Sequence, residues 1–189
     1  MFEVTKDGGR PPAPSLGNSR LQHRTVLIRA ALIGLGIGAL LGTIAHSPKV
    51  RLLWNASASA PIGLYLIKPG ATLEVGDMVA ARAPDGARQL ASARGYLPSD
   101  VPLVKRVAAT RGSQVCALRA RIIIDGRTVA RRRKHDAHGR DMPWWTGCRR
   151  LLPGEALLIN GAAASFDSRY FGPVDRSAIL GKAVLLWPR

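Results

Sequence analysis

Trp54-Asn55-Ala56-Ser57-Ala58-Ser59-Ala60-Pro61-Ile62-Gly63-Leu64-Tyr65 joins a small, hydroxyl-bearing loop to an apolar strand. Two serines stand on alternate positions with only alanines around them, and a proline then fixes the backbone. Small side chains leave room for a second backbone to approach. Proline and glycine hold the loop in one shape as it enters the strand expected over residues 64–67. Ser59 is the candidate nucleophile. In an extended loop Ser57 and Ser59 face the same way. By itself this stretch reads equally as an ordinary Ser/Ala turn, and the rest of the chain has to decide.

Upstream, residues 30–45 carry no charge and consist mainly of Ala, Leu, Ile and Gly, bounded by Arg29 and Lys49. Such a run approaches the ~20 residues that cross a hydrocarbon core, and glycine is common in membrane helices. A cleaved signal peptide would need a small-residue cleavage site, which Ile44-Ala45-His46 supplies poorly. A buried core helix would be followed by a helical partner pattern, which is absent. The expectation is therefore a disordered cytoplasmic tail over 1–24, an uncleaved transmembrane anchor over 25–48, and an exported domain over 49–189. Lys6, Arg10, Arg20, Arg24 and Arg29 precede the anchor, against Lys49 and Arg51 just after it. That asymmetry keeps the N-terminus in the cytoplasm, at the inner membrane and in contact with its lipid, and places the domain in the periplasm.

The 189 residues carry a formal charge of +16, which favours acidic partners. The few aromatics do not interleave with the basic runs, which argues against stacking on single-stranded nucleic acid. An exported domain without a nucleic-acid-binding fold signal is not expected to bind DNA. The most basic run, Arg131-Arg132-Arg133-Lys134, opens a segment (131–140) with no apolar period. It reads as a solvated surface loop, with anionic lipid headgroups or an acidic partner as the alternatives.

Beyond the anchor the sequence is β-rich. Short apolar runs at 64–67, 78–81, 103–108, 115–118, 121–124, 127–129, 155–159 and 179–186 are separated by turn residues, and long amphipathic helices are absent. Asp125-Gly126 between two of these runs is the strongest hairpin signal. The fold class is mainly β. In an oxidising compartment Cys116 and Cys148 form a disulfide that closes the basic segment. The alternative, a zinc site from both cysteines with His135 and His138, lacks the closely paired cysteines of structural zinc sites.

Three separated stretches then line up: Ser57-Ala58-Ser59-Ala60-Pro61-Ile62-Gly63-Leu64-Tyr65, Val104-Lys105-Arg106-Val107, and Ser165-Phe166-Asp167-Ser168-Arg169-Tyr170-Phe171-Gly172-Pro173. In this order, behind one anchor helix, they resemble the signal peptidase I (S26) superfamily of serine–lysine membrane peptidases. Within it they look most like the TraF-type conjugative transfer peptidases, which mature pilin precursors. The resemblance covers the anchor and the whole exported domain. Ile159-Asn160-Gly161-Ala162 replaces the Gly-Asp-Asn found there in ordinary signal peptidases, which favours the conjugative branch.

The resemblance implies a signal-peptidase-like β-barrel domain, a Ser59–Lys105 catalytic pair, and neither metal nor cofactor. Ser57 and the Ser59 N–H would form the oxyanion hole. Ser165 would orient the lysine, with Asp167 and Arg169 bracing the site, Asp167 being either structural or catalytic. The chemistry agrees. A serine hydroxyl needs a base, and His23, His46, His135 and His138 all lie in unpromising contexts. Lys105, between Val104 and Val107, could lose its proton through burial, while Arg106 points to the opposite strand face. The implied function is maturation of an exported precursor, a conjugative pilin above all, by hydrolysis or with cyclisation. A general type I signal peptidase is the alternative. A non-catalytic anchored subunit of a conjugation or secretion apparatus, binding its partner proteins, is a reading of another class.

Overall fold

The computed structural model describes residues 17–45 and 50–189, with side chains for 23–42 and 50–189. The chain divides into two units after Pro48. The expected tail at 1–16 and the end of the expected anchor at 46–48 lie outside the described residues.

Helix α1 (Gly17–Ala45) is the first unit's element. It extends over residues 17–24, which the sequence assigns to the tail. Its apolar stretch His23–Gly42 is 20 residues long, enough at 1.5 Å per residue to cover ~30 Å of hydrocarbon. The described side chains are exposed all round, as an anchor in lipid requires and as a core helix does not show.

The second unit is β-dominated. In chain order come β1 (Leu52–Asn55), β2 (Gly63–Lys68), β3 (Met78–Ala81), α2 (Asp85–Ala93), β4 (Leu103–Ala109), β5 (Gln114–Leu118), β6 (Arg121–Ile124) and β7 (Arg127–Arg131). After these follow β8 (Gly147–Arg150), β9 (Glu155–Leu158), α3 (Ser168–Phe171), β10 (Val174–Asp175) and β11 (Ile179–Pro188). Seven strands form one sheet in the order β1-β2-β11-β3-β4-β9-β10, and β7-β6-β5-β8 form a second. The larger sheet curls into a half-barrel with β1 and β10 as its edges, in keeping with the mainly β, barrel-like domain expected from the sequence.

Each apolar run found in the sequence falls on a strand. The Asp125-Gly126 turn connects β6 to β7 with φ of 47° and 81°, the two positive values a tight two-residue hairpin turn needs. Gly63 has its own reason: a Cβ there would lie 2.1 Å from the Trp187 carbonyl oxygen on β11. The glycine of the serine loop thus lets β2 pair closely with the last strand.

Three apolar clusters fill the unit. One, around Val79, Val107, Leu158 and Val174, lies under the middle of the large sheet. Another, around Val115, Ile122, Leu151 and Leu157, joins the two sheets. The third, with Ala60, Tyr65, Ile67, Ala80 and Val104, packs directly beneath the serine loop.

The two cysteines sit opposite each other on β5 and β8 and are bonded, with Cα atoms 4.0 Å apart. With both sulfurs so engaged, the alternative zinc set has no thiolates. Arg131, Arg133 and Lys134 are exposed, as the expected solvated loop requires, and Arg132 is the exception. Arg132 is buried, its guanidinium donating to the carbonyls of Trp145 (2.6 Å) and Arg119 and lying 4.3 Å from the centre of the Trp144 ring. Arginine is suited to this because its planar fork serves two carbonyls while its face covers an indole.

Candidate active site

The serine loop is a tight turn built by an amide side chain. Asn55, the last residue of β1, donates through Nδ2 to the carbonyls of Ser57 (2.9 Å), Ala60 (3.3 Å) and Pro61 (3.0 Å). Its Oδ1 accepts from the Ser57 N–H at 3.2 Å. The Ala60 N–H turns back to the Ser57 carbonyl, and the Tyr65 hydroxyl holds the Pro61 carbonyl at 2.8 Å. Ser57 and Ser59 do meet, with their Oγ atoms 3.0 Å apart. The cause is this turn rather than the extended alternation expected from the sequence. The Ser59 N–H donates to Ser57 Oγ, 3.3 Å away, which holds the two serines side by side.

Across from the turn stands Lys105, 3% exposed in the middle of β4. Its Nζ lies 2.9 Å from Ser59 Oγ and 3.0 Å from Ser165 Oγ. Arg106 is exposed and donates to the Gly76 carbonyl at 2.6 Å, as strand alternation requires. Burial lowers the Lys105 pKa to about 8. The negative charge of Asp167 opposes that shift, and the positive charge of Arg169 reinforces it. An amine with a pKa of about 8 is roughly one-tenth neutral at pH 7, far more than an ordinary lysine.

Asn160 immobilises the strand that carries Lys105. Its Oδ1 accepts from the Arg106 N–H (2.9 Å) and its Nδ2 donates to the Val104 carbonyl (3.1 Å), gripping the backbone on both sides of Lys105. Asp167, fully buried, caps α3 by accepting from the Arg169 N–H, and its other oxygen accepts from the Asn160 N–H. Arg169 returns two side-chain bonds to Asp167, at 2.8 and 3.1 Å, and one to the Asn160 carbonyl at 2.5 Å. The chain of support therefore runs from Arg169 through Asp167 and Asn160 to β4. Both ions are buried and each is paired, as buried charges must be.

The structure thus brings together Ser57, Ser59, Lys105 and Ser165, and places Asp167 and Arg169 one layer behind. The cysteines lie on the second sheet. Asn55 and Asn160 escaped the sequence reading as site residues, although each had a signal: an amide ending an otherwise apolar strand run. Tyr96 and Phe166, which line a cavity of about 70 Å³ beside Ser59 and Lys105, carried none.

The family model described as "Signal peptidase, peptidase S26" matches residues 24–187. The chain is 34% identical to the plasmid transfer protein TraF of Escherichia coli over 182 residues, covering 89% of this chain and 99% of that protein. It is 36% identical to the conjugal transfer protein TraF of Agrobacterium fabrum over 139 residues, covering 68% and 78%. A solved signal peptidase I from Enterococcus faecalis is more distant, at 15% identity with a TM-score of 0.35, covering 59% of this chain and 97% of that one.

Proposed function

Since this chain belongs to the signal peptidase family, peptidase S26, we propose that it is a membrane-anchored serine endopeptidase in which Ser59 is the nucleophile and Lys105 the general base. One observation carries the reading. A single buried amine lies within hydrogen-bond distance of an activatable serine and of a second serine that fixes its direction.

In the proposed cycle neutral Lys105 accepts the Ser59 hydroxyl proton as Oγ attacks the scissile carbonyl carbon. The developing oxyanion is met by the Ser59 N–H and the Ser57 O–H, which must turn away from Ser59 to receive it. Protonated Lys105 hands the proton to the departing amine, leaving an ester on Ser59. A second nucleophile then attacks that ester while Lys105 takes its proton, and Ser59 leaves with the proton restored. Asp167 touches neither Ser59 nor Lys105 in the hydrogen bonds described, so its role is to position β4 and to keep a negative charge near the lysine.

The names of the relatives point to plasmid transfer, which favours an exported pilin precursor as substrate over the clients of a general signal peptidase. The second nucleophile is water, or the amino terminus of the precursor itself, which would give a cyclic product. The basic residues ahead of the uncharged run 30–45 support a cytoplasmic N-terminus and a periplasmic catalytic domain in the inner membrane. The non-catalytic alternative gains no support from a site in which Ser59 and Ser165 both lie within hydrogen-bond distance of a buried Lys105.

The test is processing of a pilin precursor by the full chain in detergent. Ser59→Ala and Lys105→Ala should keep the wild-type circular dichroism and disulfide yet leave the precursor uncut. Processing retained by Lys105→Ala would overturn the mechanism. A product one water lighter than the linear trimmed chain identifies cyclisation.

A further inference from the structure

A second cavity, of about 340 Å³, adjoins the first and shares Ser57, Tyr96 and Phe166 with it. Residues 133–142, which carry no apolar period in the sequence, build its outer wall. The wall is held from several sides. The Arg133 N–H donates to the Tyr170 hydroxyl at 3.1 Å, and the Trp145 Nε1 donates to the Ser168 carbonyl at 3.0 Å. Asp136 accepts from the Tyr96 hydroxyl, from Arg140 Nε (2.6 Å), and from the N–H groups of His138 (2.8 Å) and Arg140 (2.9 Å). The floor is aromatic: the Phe166 ring centre lies 5.5 Å from that of Tyr96 and 6.0 Å from that of Tyr170. Met142 also lines the cavity.

We propose that this cavity is a substrate subsite for one bulky apolar or aromatic side chain of the precursor, close to the scissile bond. The inference rests on the peptidase reading above. Volume and chemistry choose the occupant. The 70 Å³ cavity beside Ser59 and Lys105 admits only a small side chain, whereas 340 Å³ is wasted on one. A basic side chain would look for Asp136, whose carboxylate is already taken up by four donors, and would face Arg133 at the rim. Three rings and a thioether give an aromatic or branched side chain edge, face and sulfur contacts, which stabilise such groups beyond area alone. A substrate strand passing over Ser57 can thus set a small residue in one cavity and a large one in the other.

The experiment measures cleavage by the full chain in detergent of a peptide set. Ala, Phe, Trp, Lys and Glu are placed in turn at each position flanking the bond. One position should prefer Phe to Ala by ~10-fold or more in kcat/KM, as expected when a filled apolar pocket discriminates. Ala164→Trp, which fills the cavity from its rim, should collapse that Phe-to-Ala ratio to about twofold or less. Met142→Ala, which widens it, should move the preference towards Trp. A smaller folded fraction lowers both rates alike, so the ratio reports only the pocket of the folded enzyme. Absence of any bulk preference, preference for Lys or Glu, or a ratio unchanged in Ala164→Trp overturns the subsite. Failure of the wild type to cut any peptide or precursor overturns the peptidase reading instead, and the subsite with it.

Discussion

Replacing Lys105 by methionine should remove activity and raise stability together. The substitution keeps the length and apolar stem of the side chain and deletes its charge. Burial, partly offset by Asp167 and reinforced by Arg169, brings the amine from an ordinary 10.5 to about 8. At ~1.4 kcal/mol per tenfold, that gap means the folded state disfavours the charged amine by ~3 kcal/mol. Below pH 8 the lysine is charged in both folded and unfolded chains, so the wild type carries this penalty in full. Between pH 8 and about 10.5 the folded state sheds the proton that the unfolded chain still holds, and wild-type stability rises. Methionine gives up the bonds to Ser59 and Ser165, at ~1 kcal/mol or less each. The net gain at pH 7 is then ~1–2 kcal/mol, or ~3–6 °C in Tm for a domain of this size. Thermal scans of the full chain in one detergent, at pH 7, 8.5 and 10.5, read the difference. It should be positive at pH 7 and shrink or reverse by pH 10.5, while precursor processing falls by ~100-fold or more. A variant less stable than wild type at pH 7, or a difference that ignores pH, would refute the electrostatic account of Lys105.

Four further outcomes follow from the structure. The wild-type kcat/KM should rise tenfold per pH unit below about 8 and level off above it, because only neutral Lys105 can accept the serine proton; a profile flat from pH 6 to 9 would contradict this. Asn160→Ala frees the β4 backbone on both sides of Lys105 and should lower kcat much more than it changes KM, which steady-state kinetics on a peptide substrate would show. Asp167→Ala leaves Arg169 buried and unpaired, at a cost of ~3–5 kcal/mol. Thermal scans of Asp167→Ala beside the Asp167→Ala/Arg169→Met double variant should then find the double variant the more stable. Opening the Cys116–Cys148 bridge, which spans 32 residues, should cost ~3–4 kcal/mol in the chain-entropy model, read as a lower Tm in reductant.

Much of the strand layout was open to reading because its signals are local. The runs at 64–67, 78–81, 103–108 and 121–124 are apolar between turn residues, and Asp125-Gly126 has the chemistry its turn demands. What escaped lacks such a signal. β8 reads Gly-Cys-Arg-Arg and every residue is exposed; it is a strand because β5 pairs with it and the disulfide joins them. Helix α2 has nine residues with one buried, and its apolar face is only Ala87, Leu90 and Ala91, too small a signal to stand out in the sequence. Arg132 resembles its basic neighbours in sequence, yet it alone of that run is buried, because two carbonyls and an indole are waiting for it.

The sequence by itself determined the apolar span and the β-rich domain behind it, because both depend on residue type and on neighbours a few positions away. The serines, the lysine and the acidic–basic pair were singled out as candidates by three separated stretches that resemble one family. Only the tertiary structure decided that Lys105 meets Ser59, 46 positions away, and Ser165, 60 positions away. It also decided that Asn160 holds β4 in place and that the serine loop turns rather than extends. These belong to the pairing of β4 with β3 and β9, and no periodicity encodes which strands will pair. The lowered pKa of Lys105 is likewise set by the water that folding removes from around it. A lysine between two valines is a common string; a lysine 3% exposed between two serines exists only once the sheet has closed over it.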